Sequence, residues 1–266
     1  MLFAGIDSGS RTVKAVIIKD KEIIASFIED MGSSSVESSR IALETVLRNA
    51  GLKVEDITYI GSTGYGRELA PHAQVAYTDI ACHTKGVNWY FPTARTILDL
   101  GGQDYKAINC DEKGRVTEFI MNEKCAGGTG NFLEVMANML EIDIADMGTI
   151  GLQATKKVIL SSTCTVFAQS EVLNYLRAGA DKKDLVNALN NLVAEQSYKL
   201  LSRINITKDL VMTGGTSRNQ GVVKRITELS GIEPLIPPNP QLIGAIGAAA
   251  YAKAKYLSLQ KKKMIG

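Results

Sequence analysis

Asp7-x-Gly9-x-x-x-x-Lys14-Ala15 aligns without a gap on Asp99-x-Gly101-x-x-x-x-Lys106-Ala107, at an offset of 92 residues (7 to 99). In each copy the Asp ends an apolar run, and a second apolar run follows the glycine turn. A repeat of this length predicts two similar halves, each presenting an Asp at a strand end before a turn that admits only a small residue. The cleft between two such halves is the expected site. A single Asp after a strand is a turn cap as often as not; the gapless repeat weighs against that reading here.

The local pattern around the repeat is α/β. Leu2 to Ile6, Val13 to Ile18 and Ile23 to Phe27 read as three strands of an antiparallel meander, with Lys19-Asp20-Lys21 as the second turn. Ser35 to Asn49 has helical apolar spacing and Gly51 as its stop. Ile57 to Ile60 reads as a strand running into a glycine loop, Gly61 to Gly66, and Asp79 to Trp89 as a helix ended by Pro92. A strand at Asp209 to Met212 leads into Thr213-Gly-Gly-Thr-Ser217. A helix around Val222 to Leu229, a Pro-rich stretch and a last helix from Leu242 to about Leu257 close the chain. Lys14, Lys106 and the cluster Lys261 to Lys263 are read as solvated.

Length and composition exclude several classes. The 266 residues exceed the ~150 of a typical domain and leave room for two lobes. Apolar residues at 45% and charged residues at 22% supply a core, and a formal charge of +2 without a Lys/Arg stripe gives no nucleic-acid footprint. The apolar start, Met1 to Ile6, is too short for a signal peptide. The run Leu242 to Ala252 falls well under the ~20 residues that cross a bilayer. No membrane segment is expected, and the expected location is cytoplasmic. In that reducing compartment Cys82, Cys110, Cys125 and Cys164 are small buried hydrophobes or ligands rather than disulfides.

Glycine turns at strand ends expose backbone N–H groups, which with hydroxyls such as Ser10 and Thr12 cradle phosphate oxygens. Asp7 and Asp99 suit Mg2+ held through water, because that ion keeps much of its hydration shell. Mg-ATP or ADP is therefore the expected ligand.

The segments Gly5-Ile-Asp-Ser-Gly-Ser, Leu98-Asp-Leu-Gly-Gly-Gln-Asp and Val211-Met-Thr-Gly-Gly-Thr resemble the two phosphate loops and the adenosine loop of the actin, sugar kinase and heat-shock chaperone ATPase superfamily. The resemblance covers nearly the whole chain. It implies two ribonuclease-H-like lobes with a central nucleotide cleft, the first at 1–94 plus 241–266 and the second at 95–240. It implies nucleotide contacts at Gly9, Ser10, Arg11, Thr12, Gly101, Gly102, Gly214, Gly215, Thr216 and Gln241, and places Gln103 and Asp104 near the terminal phosphate. Either of these two is a candidate to orient the attacking water, with Gln103 preferred.

Within that superfamily, Gly64-Tyr-Gly-Arg67, Gly101-Gly-Gln-Asp-Tyr-Lys106, Asn122-Glu-Lys-Cys-Ala-Gly-Gly-Thr-Gly130 and Ser161-Ser-Thr-Cys-Thr-Val-Phe-Ala168 are similar to the activators of 2-hydroxyacyl-CoA dehydratases and to related reductases of double-cubane proteins and benzoyl-CoA reductase subunits. One departure is Ala-Gly-Gly-Thr-Gly after Cys125, where Ala-Ala-Gly-Thr-Gly is the commoner form among the activators. Cys125 opens a glycine loop before a helix with Phe132, Val135, Met136, Met139 and Leu140 on one face, and Cys164 precedes a helix running to about Leu176. Alone, such cysteines are more often structural. Helix N-termini nevertheless stabilise thiolates and anionic clusters. A cubane cluster takes four thiolates, and Cys110 in a strand and Cys82 mid-helix are poor ligands. A homodimer pooling Cys125 and Cys164 of both subunits around one 4Fe-4S cluster is the economical solution, and the resemblance implies the same.

The resemblance further implies an ATPase coupled to electron transfer. Its cluster is charged by ferredoxin or flavodoxin and delivers the electron to an iron-sulfur partner enzyme. Two other readings stand beside it: a small-molecule kinase of the amino-sugar type, and a non-catalytic nucleotide-sensing module. His72 and His83 read as structural or surface residues, with no zinc spacing. Gly64-Tyr-Gly-Arg67 fits a turn, a nucleotide contact or a partner contact equally.

Overall fold

The computed structural model describes residues 1–122, 127–161 and 164–265. The chain divides into two compact units. The first is Met1–Ala94 with Cys110–Thr117 and Gln241–Gly266, and the second is Arg95–Asn109 with Glu118–Pro240.

The first unit is built on a five-stranded sheet. Its strands are β1 (Phe3–Ser8), β2 (Thr12–Lys19), β3 (Glu22–Asp30), β4 (Tyr59–Gly64) and β5 (Val75–Ala76), in the order β3-β2-β1-β4-β5. β1 runs antiparallel to β2 and parallel to β4. The alternation of a strand sorts its side chains onto two faces. Ala4, Ile6, Val13, Ala15, Ile17 and Ile60 pack with Ala42, Leu43, Val46 and Leu47 of helix α1 (Ser35–Ala50). Ser34 caps α1 by accepting from the Glu37 N–H, and Gly51 ends it at φ 67°.

On the other face, Gly5 and Gly61 are register partners and admit the last helix, which runs from Ile243 to Ile265. A Cβ on Gly5 would stand 1.9 Å from the Ala245 carbonyl oxygen, and one on Gly61 2.4 Å from that of Ala248. No side chain fits in either place. This packing explains why β4 runs through Gly64 rather than stopping at Ile60 as the sequence reading expects. Helix α2 (Asp79–Tyr90) lies against the same final helix, with Gly86 beside the Ile243 carbonyl and the Cys82 carbonyl beside Gly247.

The second unit repeats the motif. Strands β6 (Thr96–Leu100), β7 (Tyr105–Cys110), β8 (Val116–Asn122) and β9 (Leu210–Thr213) form a sheet of order β8-β7-β6-β9. β6 runs antiparallel to β7 and parallel to β9. Leu98, Leu100, Tyr105, Ala107 and Met212 face a core that helices α3 (Gly130–Leu140), α4 (Met147–Gly151), α5 (Thr165–Arg177), α6 (Lys182–Leu201) and α7 (Gln220–Ser230) complete. The last helix is therefore α8.

Further elements differ from the sequence reading, α6 and α8 most of all. α6 has no counterpart in it, although Leu185, Val186, Leu189, Leu192, Val193, Leu200 and Leu201 form a helical stripe that fills the second core. α8 extends through the lysines 261–263 to Ile265 instead of ending near Leu257, as a run of good helix formers permits. Among the described residues, no helix is long and apolar enough to cross a membrane.

Candidate nucleotide and cluster site

The Asp-Gly repeat builds the same turn twice. In the first unit, Gly9 N–H donates to the Thr12 carbonyl at 3.2 Å, and a Cβ on Gly9 would lie 2.8 Å from that oxygen. In the second, a Cβ on Gly101 would lie 2.9 Å from the Asp104 carbonyl. Only glycine turns this tightly, which leaves the connecting backbone bare for an anion. Ser10 and Thr12 are half-buried along the first turn and Arg11 is exposed.

The lysines of the repeat belong to these turns, contrary to the solvated faces the sequence reading gives them. Lys14 lies directly across the β1–β2 ladder from Asp7 and its Nζ is 3.3 Å from Oδ2. Lys106 lies across β6–β7 from Asp99, with Nζ 3.5 Å from Oδ2 and in direct contact with Asp104 Oδ1. Asp99, Asp104 and Lys106 are all buried. A buried lysine is tolerated where carboxylates compensate its charge. The signal for both lysines was in the repeat itself, which carries them at matching positions.

The third loop joins the second turn through the sheet. Asp99 is the register partner of Thr213, whose hydroxyl donates to Asp99 Oδ1 at 2.8 Å. Gly214 follows at φ 83° and donates its N–H to the Pro240 carbonyl. Gly215 is exposed and Thr216 buried. The second unit thus brings together Gly101, Gly102, Asp99, Asp104, Lys106, Thr213 and Gly214. Gln103 is exposed at the tip of the turn while Asp104 is held inward by Lys106. Gln241 belongs to the first unit, in the 3-10 turn Pro240–Leu242 that leads into α8.

Helix α3 is fastened to this turn. Its first N–H groups, those of Gly130 and Asn131, donate to the carbonyls of Gly101 and Gly102, each at 2.9 Å. Cys125, the proposed ligand upstream, lies outside the described residues. Cys164 is described: it stands as N-cap residue of α5 and is exposed and free. The segment before it is tied down. Glu171 accepts from Ser161 N–H and Oγ, Tyr175 donates to the Ile159 carbonyl, and Asp184 accepts from the N–H groups of Thr155 and Lys156. Those backbone donors, Lys156 first, hold the Asp184 carboxyl below its usual range.

Cys82 and Cys110 are buried. Burial pushes the Cys82 thiol up to about 12, and Cys110 donates to the Ala94 carbonyl. Both are inert packing groups. Tyr65 is exposed, and Arg67 folds back to donate to the Gly64 carbonyl and to meet Glu68.

A profile of the BadF/BadG/BcrA/BcrD ATPase family matches residues 4–252. The chain belongs to this family. Its relatives in the family include the activator of lactoyl-CoA dehydratase of Anaerotignum propionicum, 45% identical over 98% of this chain and 100% of the relative. The (R)-2-hydroxyglutaryl-CoA dehydratase activating ATPase of Acidaminococcus fermentans is 44% identical over 94% of this chain and 96% of the relative. The solved activator of the 2-hydroxyisocaproyl-CoA dehydratase from Clostridium difficile, with bound ADPNP, superposes with a TM-score of 0.94 at 41% identity, covering 98% of both chains. A ROK family glucokinase from Streptomyces griseus shares the fold at a TM-score of 0.60 and 12% identity. The two sheets are therefore those of the actin-like ATPase and sugar kinase fold.

Proposed function

We propose that this family member is the ATP-dependent activator of a 2-hydroxyacyl-CoA dehydratase or a related double-cubane protein, which it supplies with low-potential electrons. The observation that carries the reading is the pair of hydrogen bonds from the Gly130 and Asn131 N–H groups to the Gly101 and Gly102 carbonyls. They join a phosphate-type turn to the helix that Cys125 precedes, so a shift of that turn on nucleotide binding moves the helix as well.

The residues fit the groups this requires. Asp7 and Asp99 each already hold a cationic partner, and carboxylates so placed suit hydrated magnesium, which takes few protein ligands. The turns at Gly9 to Thr12 and Gly101–Gly102 take phosphates, and the loop of Gly214, Gly215 and Thr216 with Gln241 takes the adenosine. Gln103 is assigned to the attacking water, because Asp104 is held inward by Lys106.

Cys164 fits a cluster ligand, being exposed at the N-terminus of a 13-residue helix, an end that favours a bound anionic group. With Cys125, and the same two residues of a second copy, it completes the four thiolates of one 4Fe-4S cluster per homodimer. When bound, the cluster supplies a one-electron couple, filled by ferredoxin or flavodoxin. Val166 and Phe167, 66% and 67% exposed beside Cys164, give this helix end an apolar surface of the kind that a second subunit covers.

The test mixes the anaerobic, dithionite-reduced protein with its dehydratase and follows the cluster absorbance in a stopped flow. The reading predicts oxidation only when Mg-ATP is present. Equal oxidation with and without nucleotide would overturn it.

A further inference from the structure

His83 stands in the first unit on α2, buried to 9% exposure, and the nucleotide reading gives it no role. Its surroundings do. Gly86 and Cys82 of α2 press against the backbone of α8 at Ile243 and Gly247, and this contact fixes the turn of α2 between them over the start of α8. Gly5 and Gly61 bring the same stretch of α8 down onto the sheet face that carries Asp7. Gly244 sits where these elements meet. The point where its Cβ would stand is 2.7 Å from Asp7 Oδ2 and 3.4 Å from His83 Nε2. The Asp7 carboxylate and the imidazole thus share the space that the missing side chain leaves. Thr63, the fully buried register partner of Asp7, stands on the same sheet face, and Lys14 Nζ lies 3.3 Å from Oδ2.

We propose that His83 is a positioning residue for nucleotide hydrolysis, holding the Asp7 carboxylate in the orientation in which it takes the hydrated magnesium of the nucleotide. The inference rests on the nucleotide reading above. Its chemistry is that of an outer-shell partner: the group touching the ion is Asp7, and the imidazole, with two ring nitrogens and a rigid place on a helix, restricts how that carboxylate turns. A glycine at 244 is part of the device, since a Cβ there would stand 2.7 Å from Asp7 Oδ2 and displace the carboxylate.

The experiment compares His83→Ala, His83→Gln and wild type by three readouts: thermal unfolding, the affinity for fluorescent ADP with and without Mn2+, and the electron paramagnetic resonance spectrum of bound Mn-ADP. Outer-shell losses run on the order of 10–100-fold. The proposal predicts that His83→Ala weakens binding of Mn-ADP about tenfold while metal-free ADP binds within about twofold, that the Mn2+ spectrum changes, and that His83→Gln recovers most of the affinity. A lowered melting temperature with an unchanged ratio of Mn-ADP to ADP affinity would mean that His83 only packs, and would overturn the proposal. Wild-type protein that binds neither form of ADP would instead overturn the nucleotide reading itself.

Discussion

Lys106 faces Asp99 across the β6–β7 ladder at 3.5 Å, and 92 residues earlier (7 to 99) Lys14 faces Asp7 across β1–β2 at 3.3 Å. The chain therefore repeats an ion pair as well as a turn. In both units a lysine neutralises the carboxylate assigned to magnesium.

Lys106→Met leaves Asp99 and Asp104 buried together without their shared cation. Removing one partner of a buried pair costs about 3–5 kcal/mol, so urea unfolding should show a loss of about 3 kcal/mol or more. Lys14→Met should cost less, because the Lys14 side chain is 13% exposed where Lys106 is 4%. A Lys106→Met variant within about 1 kcal/mol of wild type would contradict the buried-pair account.

Gln103 and Asp104 should separate cleanly. Gln103→Ala is expected to lower ATP turnover about a hundredfold while ADP affinity stays within about twofold, the signature of a group that acts on the attacking water. Asp104→Asn should instead lower stability, since it weakens the contact with Lys106. Steady-state kinetics alongside thermal melts check both.

Cys82 and Cys164 should differ in reactivity. Thiol reagents at pH 8 should label Cys164 in the native apoprotein and leave Cys82 untouched until the chain unfolds, as mass mapping of the adducts would show. Burial raises the Cys82 thiol from 9.0 to about 12. Between those values the folded state keeps a proton that the unfolded chain has released, so stability falls as pH rises through this window. Cys82→Ala should remove that share of the decline.

Phe167→Glu places a charge in the apolar surface beside Cys164. Light scattering is expected to report a dimer for wild type and a monomer for the variant, with the melting temperature little changed because the side chain is 67% exposed. A dimer that survives the substitution would move the interface elsewhere.

Much of this was legible in the residues. The repeat announced two halves with Asp-Gly turns, and Gly51 marked the end of α1 where it adopts φ 67°. Burial was not legible: Lys14 and Lys106 read as solvated because strand alternation gives a face but does not say what covers it. The β4 boundary was missed for a related reason, since Gly61 looks like a loop residue until α8 packs against it. His83 shows no metal spacing in sequence. Only the contact of α2 with α8 brings it to Gly244 and Asp7.

The most direct test of the central claim is the iron and acid-labile sulfide content of the anaerobically purified protein, measured with its oligomeric mass, for wild type, Cys125→Ala and Cys164→Ala. The account predicts about two irons per chain in a dimer, lost in either variant. Iron-free wild-type protein, or full iron content in the Cys164→Ala variant, would contradict it.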